Sequence, residues 1–259
     1  MKPALRKLIS LVVLAVILLC FLSLRAAVRG KRLEQTCNGV SVEFKEDWHF
    51  ITEDDVKGYL DAYYGAYIGQ RLDSLKLYRI EQIVDVQSAV LKSQAYVTDD
   101  DGMLHILISQ RDPIVRFETS AGGFYADEKG FIFPLQSNYT SRVPIVDGAV
   151  PLPGGEGYKG APQTEEQVKW MNDILTMLGY MDKSKIWAEN IVQIHVDESG
   201  DIILIPREGK EKFIFGGPED AQAKFDRMAK YYQYIRPEKG EDFYSSVNVK
   251  YDKQIVCKK

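Results

Sequence analysis

Apolar and polar residues follow three successive patterns along the 259-residue chain. The first is a block: Leu8 to Leu24 contains no charge, and thirteen of its seventeen residues are Leu, Ile, Val or Phe. As a helix the block is about 25 Å long, at the short end of a bilayer span, and Lys7 and Arg25 can snorkel at its two ends. Its summed preference for insertion is about 4–8 kcal/mol. The pattern predicts a single transmembrane helix over 8–24, after a short tail (1–7) and before a basic stalk (25–37). A cleaved leader fits less well. Its apolar part is normally about 7–15 residues and ends in small residues, whereas Leu24 or Arg25 fills the outer position before any cut, and Cys20 follows Leu18-Leu19.

The second pattern mixes periods of two and 3.6. "GVSVEF" alternates as a short strand. From Thr52, an N-cap followed by acids, Val56, Leu60, Tyr63, Tyr64 and Tyr67 recur on one helical face. Gly65 and Gly69 mark the end of that helix. A second helix is predicted over "LKLYRIEQIV", with Leu77, Ile80 and Val84 on one side. Strands follow at "SAVLKSQAYV" and "MLHILIS", joined by "TDDDG". The order β-α-α-β-β predicts a compact α+β unit, with two helices on one face of a three-stranded sheet. Pro113 closes this domain, placed at 38–113.

The third pattern, 114–259, is strands and tight hairpins, a mainly antiparallel β domain with flanking helices. "GGFYADEKGFIFPL" and "IVQIHVDESGDIILIP" read as hairpins turning at Glu128-Lys129-Gly130 and Glu198-Ser199-Gly200, and "KFIFGG" adds a strand. One helix starts at Thr164, with Gln167 completing a capping box, and is predicted to bury Val168, Met171, Leu175 and Leu178. Another, after Gly217-Pro218, presents Ala221, Phe225, Met228, Ala229 and Tyr232. "GAVPLPGGEGYKGAP" is a long loop. At the end, Val247, Val249 and Tyr251 alternate with Ser246, Asn248 and Lys250, predicting a half-buried terminal strand whose edge another chain can use.

Charge refines this picture. Basic residues before the apolar block (Lys2, Arg6, Lys7) and after it (Arg25, Arg29, Lys31, Arg32) nearly tie, so length sets orientation. Large domains cross largely regardless of charge, which leaves the tail cytoplasmic and the bulk outside the membrane. Seven of the 33 Lys and Arg lie in residues 1–32, where there is no acid. The remainder therefore carries 26 basic against 37 acidic residues, a net charge of −11. An acidic surface argues against nucleic acid as a partner. Cys37 and Cys257 could pair in an oxidising compartment, but two thiols do not make a disulfide framework, and the preferred reading leaves them unpaired.

Catalytic chemistry finds no support in these residues. His49, His105 and His195 have no metal-ligand spacing, and the last two sit within strands. "DDDG" lacks the Glu that closes a calcium loop and reads as a turn. "GEGYKG" matches G-x-G-x-x-G only in composition, since Pro162 separates it from the next helix. No cofactor, metal or catalytic residue is predicted.

Several features in this order resemble the bacterial cell-division family FtsQ/DivIB, over essentially the whole chain. "LYRIEQIVDVQSAVLKSQAYVTDDDGMLHILISQRDPIVRF" is similar to the POTRA run that ends in a polar residue, Arg, any residue, Pro and apolar residues. "GGFYADEKGFIFPL" with "RVPIVDG" resembles the family's aromatic-x-Asp-x-x-Gly hairpin and following Arg-x-Pro strand. "VNVKYDKQIVCKK" resembles its closing strand, with Asn248 where Asp is common and Lys250 for Arg. The Gly-Asn usual early in the POTRA unit is missing.

The resemblance implies a non-enzymatic, single-pass scaffold at the division septum, with its bulk periplasmic or extracytoplasmic, that links early and late components. It implies capture of FtsB and FtsL by strand addition at the closing strand. Other division proteins would meet the transmembrane helix and POTRA-like domain. Carried onto this sequence, the partner-binding residues are Val247, Val249, Lys250, Tyr251, Lys253 and Ile255. Tyr251 offers a large apolar ring and the two lysines can pair with acids; by strand parity Tyr251 can equally pack inward beside Val249. The competing reading is a POTRA-containing component of an envelope secretion or assembly system. An anchored wall hydrolase or a ligand sensor would need a reactive triad or a closed apolar pocket.

Overall fold

The computed structural model describes residues 12–23, 25, 35–98, 101–154 and 157–259. A helix, α1 (residues 12–23), covers the central part of the apolar block, with its apolar side chains exposed. Residues 8–11 and Leu24 of the expected span, the tail 1–7, and 26–34 of the stalk lie outside the described residues. Among the described residues, no helix is long and apolar enough to cross a membrane. The chain divides between Gln110 and Arg111 into two compact units.

The first unit runs β1 (Gly39–Phe44), α2 (Glu53–Tyr63), α3 (Leu77–Asp85), β2 (Val90–Val97) and β3 (Met103–Gln110), the β-α-α-β-β order of the pattern. Its sheet has the order β1-β3-β2, with β1 parallel and β2 antiparallel to β3. Thr52 and Asp55 form a reciprocal capping box at the start of α2. Val56 and Leu60 of α2 and Ile80 and Val84 of α3 are fully buried in one core with Leu104, Ile106 and Ile108 of β3. Tyr63 departs from the expected face and is 63% exposed. The helix ends at this residue, and the turn at Gly65 (φ +92°) carries Tyr67, not Tyr63, into the core.

The second unit begins with β4 (Pro113–Thr119), β5 (Gly122–Asp127), β6 (Ile132–Pro134) and β7 (Ile145–Gly148). It continues with α4 (Glu165–Lys183), α5 (Lys185–Asn190), β8 (Ile191–Val196), β9 (Ile202–Pro206) and β10 (Lys212–Gly216). It closes with α6 (Ala221–Lys230), a π-helical segment (Tyr231–Ile235), α7 (Arg236–Lys239), β11 (Ser246–Asn248) and β12 (Val256–Lys258). One nine-stranded sheet has the order β12-β11-β10-β9-β8-β7-β4-β5-β6. Five of its eight pairings are antiparallel; β4–β7, β7–β8 and β10–β11 are parallel.

Two motif residues meet at the start of this sheet. Asp127 accepts hydrogen bonds from the Lys129 and Phe131 amides, both at 3.0 Å, which closes the β5–β6 hairpin. It also accepts one from Arg111 at 2.8 Å, whose guanidinium lies 3.4 Å from the Phe131 ring centroid. The leading Arg and the hairpin Asp of the two sequence motifs are thus direct partners in this chain.

Helices α4 and α6 share a core with Phe117, Phe213 and Phe215. Met171, Ile174, Met177, Leu178 and Met181 of α4 are buried, whereas Val168 is 42% exposed on the first turns and Leu175 is only half-buried. On α6 the expected stripe holds through Ala221, Phe225 and Met228, but Ala229 is exposed and Tyr231 replaces Tyr232 as the fully buried ring. The helix widens there into its π turn, closed by the Arg236 amide on the Tyr231 carbonyl, and Pro237 beyond it has no amide to continue an α ladder.

Candidate partner-binding edge

The terminal segment is not one strand. Residues 246–248 form β11, the chain turns over 251–253, and 256–258 return as β12. β11 lies parallel to β10 on one side, Phe213 facing Val247, and antiparallel to β12 on the other, Val247 facing Cys257. Val247 and Val249, expected at an open edge, are therefore internal and fully buried. Their alternation marks the core face of a strand paired on both sides, which an alternating sequence cannot distinguish from an edge strand.

Tyr251 and Lys253 sit on the connecting turn. Tyr251 is 48% exposed. Since the strand ends at Asn248, strand parity no longer governs Tyr251, and it does not pack inward beside Val249. Lys253 takes a left-handed backbone (φ +57°). Ile255 packs against the core edge, half-buried.

The turn is held from three sides. The Val249 amide donates to the Ile214 carbonyl at 2.9 Å, and Arg227 Nε donates to the Val249 carbonyl at 2.8 Å. The Lys250 amide donates to Asn248 Oδ1 at 3.0 Å, and Lys250 Nζ donates to Asp201 Oδ2 at 2.7 Å. That last bond, which outweighs the opposing desolvation, raises the Lys250 pKa above its ordinary value. Lys250 is thus occupied within the unit instead of facing outward. Gly216 (φ +81°) makes the approach possible, because a Cβ there would stand 2.7 Å from the Lys250 Cβ.

The two ends of the sheet differ. At the β6 end, Ile132 exchanges two backbone hydrogen bonds with Gly160, at 2.8 and 2.9 Å. The long loop thereby covers that edge, using a glycine of the "GEGYKG" stretch. At the other end β12 is the last strand in the order. Val256 is 48% exposed and Lys258 is exposed, while Cys257 on the alternate side packs toward the core, where burial raises its thiol pKa. Phe243, 39% exposed, lies nearby under the Lys259 ammonium (4.3 Å to the ring centroid). The open edge therefore falls on Val256–Lys258, residues that the periodicity did not single out.

Residue matching fits this architecture. Residues 112–258 match the family described as FtsQ/DivIB, C-terminal related, and residues 35–109 match a POTRA-like domain. The chain belongs to the FtsQ/DivIB, C-terminal related family. Membership associates it with the bacterial cell-division machinery. No curated protein matches the chain.

The histidines have structural partners. His195 Nδ1 is 2.5 Å from Asp147 Oδ1 across β7 and β8, and Gln193 donates to the same carboxylate at 2.8 Å. His105 Nε2 is 2.9 Å from Asp101 Oδ2, with its ring stacked on Tyr96. His49 makes an edge contact with Phe44. Among the described residues, no three His, Cys, Asp or Glu side chains are grouped to hold a metal ion. All three cysteines, Cys20, Cys37 and Cys257, are free.

Proposed function

We propose that this protein is a membrane-anchored, non-enzymatic scaffold of the division complex, which captures an extended segment of FtsB, in complex with FtsL, on the outer side of β12. The observation that carries the reading is the asymmetry of the nine-stranded sheet: one edge is bridged by Gly160, the other ends in β12 with Val256 exposed. An added strand would gain backbone hydrogen bonds along Val256–Lys258, with Tyr251 and Phe243 as apolar anchors beside it. Lys253 is 90% exposed at its side chain and suits an acidic partner residue better than Lys250, whose ammonium is held by Asp201.

The proposed organisation is a cytoplasmic tail (1–7), an anchor (8–24), a stalk (25–37), the POTRA-like domain (ending at Gln110, three residues before the expected 113) and the β domain (from Arg111). The exposed apolar face of α1 supports the anchor. The POTRA-like domain and anchor would meet other division proteins at the septum.

The test uses detergent-solubilised full chain and FtsB–FtsL ectodomains, with prolines placed singly at Val256 and Cys257. Successive amides of a strand point to opposite sides, so one proline removes an outward donor and the other a donor to β11. One variant is expected to lose capture while keeping the wild-type melting temperature. Undiminished capture by both folded variants would move the site away from β12.

A further inference from the structure

The first unit carries an exposed aromatic patch at the end where the chain enters it. Gln35 to Cys37 run beside the loop before α3: Gly69 N donates to the Cys37 carbonyl at 2.7 Å, Cys37 N to Gln70 at 2.7 Å, and Leu72 N to Gln35 at 3.0 Å. β1 and β3 both begin at this end, where Gly39 pairs with Met103. α3 runs antiparallel to β2, since Asp85 accepts from the Ser93 amide and Glu81 from the Ala95 amide. Its N-terminus is therefore at the same end. The C-terminus of α2 is clamped there as well, with Tyr64 Oη accepting from Lys76 N at 3.0 Å and Arg79 donating to the Tyr63 carbonyl at 3.1 Å.

At this end Tyr63, Ile68 and Tyr78 are 63%, 62% and 71% exposed. Arg71, Lys76 and Arg79 are exposed among them, and Asp73, paired with Arg71, is the one acid between Gly65 and Ile80. The connection from β2 to β3, also at this end, is acidic, with Asp101 hydrogen-bonded to Thr98 and near His105.

We propose that this end of the POTRA-like unit lies against the lipid–water interface of the membrane that the apolar run enters. Tyr63, Ile68 and Tyr78 sit in the headgroup layer, with Lys76 and Arg79 at lipid phosphates. The proposal rests on the anchor reading above. Tyrosine is enriched at membrane interfaces because its ring is apolar and its hydroxyl wet, and Lys and Arg beside it are drawn to anionic headgroups. Arg25 and Gln35 are ten residues apart, so the connecting chain reaches at most about 35 Å. Such a tether holds the unit at an effective millimolar concentration near the surface, where a weak interfacial preference suffices. The acids of the β2–β3 connection make the aromatic contribution the larger one and the charge contribution the smaller.

The test places benzoylphenylalanine singly at Ile68, Tyr78 or Leu91 of the full chain in phosphatidylcholine nanodiscs, with and without phosphatidylglycerol. Leu91 is 48% exposed and lies at the opposite end of the sheet, where Val90 pairs with Gln110. Photolysis is expected to give lipid adducts at positions 68 and 78 in about fivefold excess over position 91. Phosphatidylglycerol is expected to increase them about twofold, an increase lost in Lys76→Glu with Arg79→Glu. Equal yields at all three positions, in discs that retain the chain, would overturn the docking and leave the anchor standing. A chain that leaves the disc would remove the anchor and the docking together.

Discussion

Lys250 Nζ lies 2.7 Å from Asp201 Oδ2, tying the second residue after β11 to the turn of the β8–β9 hairpin. This bond raises the Lys250 pKa. A raised lysine pKa means that the contribution of the pair is complete below the ordinary value of 10.5 and is lost only as pH rises through the folded-state value. Lys250→Glu sets two carboxylates facing each other. Hydrogen exchange of the amides from Tyr251 to Ile255 is expected to accelerate several-fold, and to be insensitive to pH near neutrality after correction for intrinsic rates. Unchanged exchange would show that Arg227 and the Val249 backbone bonds hold the turn alone.

Arg111 and Asp127 form a pair whose side chains are 13% and 6% exposed. Removing one partner of a buried pair typically costs about 3–5 kcal/mol. The two substitutions are not equivalent, because Asp127 also closes the hairpin through two amides. Asp127→Ala is expected to cost about 1–2 kcal/mol more than Arg111→Ala in urea unfolding, the order expected for two further lost hydrogen bonds. Equal costs would mean that the hairpin closes without its carboxylate.

Lys224 is buried, with Nζ donating to the Gly217 carbonyl at 2.8 Å and to Glu219 Oε1 at 3.0 Å. Burial alone would raise the Glu219 pKa; its backbone amide bond and Lys224 outweigh that, and the net direction is down. A lowered carboxylate pKa gives stability that is present above the ordinary value of 4.5 and lost as pH falls through the folded-state value. Glu219→Gln is therefore expected to lose less stability than wild type between about pH 6 and about pH 3, measured as the shift in urea midpoint. Because Glu219 is half-exposed, the difference is small. Parallel pH curves would assign the acid sensitivity elsewhere.

The elements read most directly from the sequence are those specified by neighbours in the chain. The N-cap at Thr52 and the capping box at Thr164 involve groups three residues apart, and both formed, Asp55 completing a box at Thr52 beyond the expected N-cap. The hairpin turns ending in Gly130 and Gly200 use positive φ, which glycine adopts without strain. Two of the failures lie at element ends. Val168 and Tyr63 have the right spacing for a buried stripe, but spacing does not say how far a helix overlaps the sheet beneath it.

The free edge of the sheet was legible in part. A polar-faced terminal strand in a family of this order pointed to the last fifteen residues, and the last strand of the sheet is there. Its location within them was not legible, because alternation reports which side of a strand is buried and carries no information about how many neighbours the strand has. Val247 and Val249 alternate correctly and are internal; Val256–Lys258 is too short to show a period and is the edge.

The sequence by itself determined the two-unit α+β organisation, the type and order of most elements, the acidic balance after residue 32, and the family. These follow from local periodicity, capping and turn chemistry, and composition. Only the tertiary structure decided that the terminal segment folds back on itself, that Lys250 answers to Asp201, and that Gly160 closes one sheet edge while β12 ends the other. The last two depend on groups far apart in the chain, 49 residues between Asp201 and Lys250, brought together by the packing of one shared core.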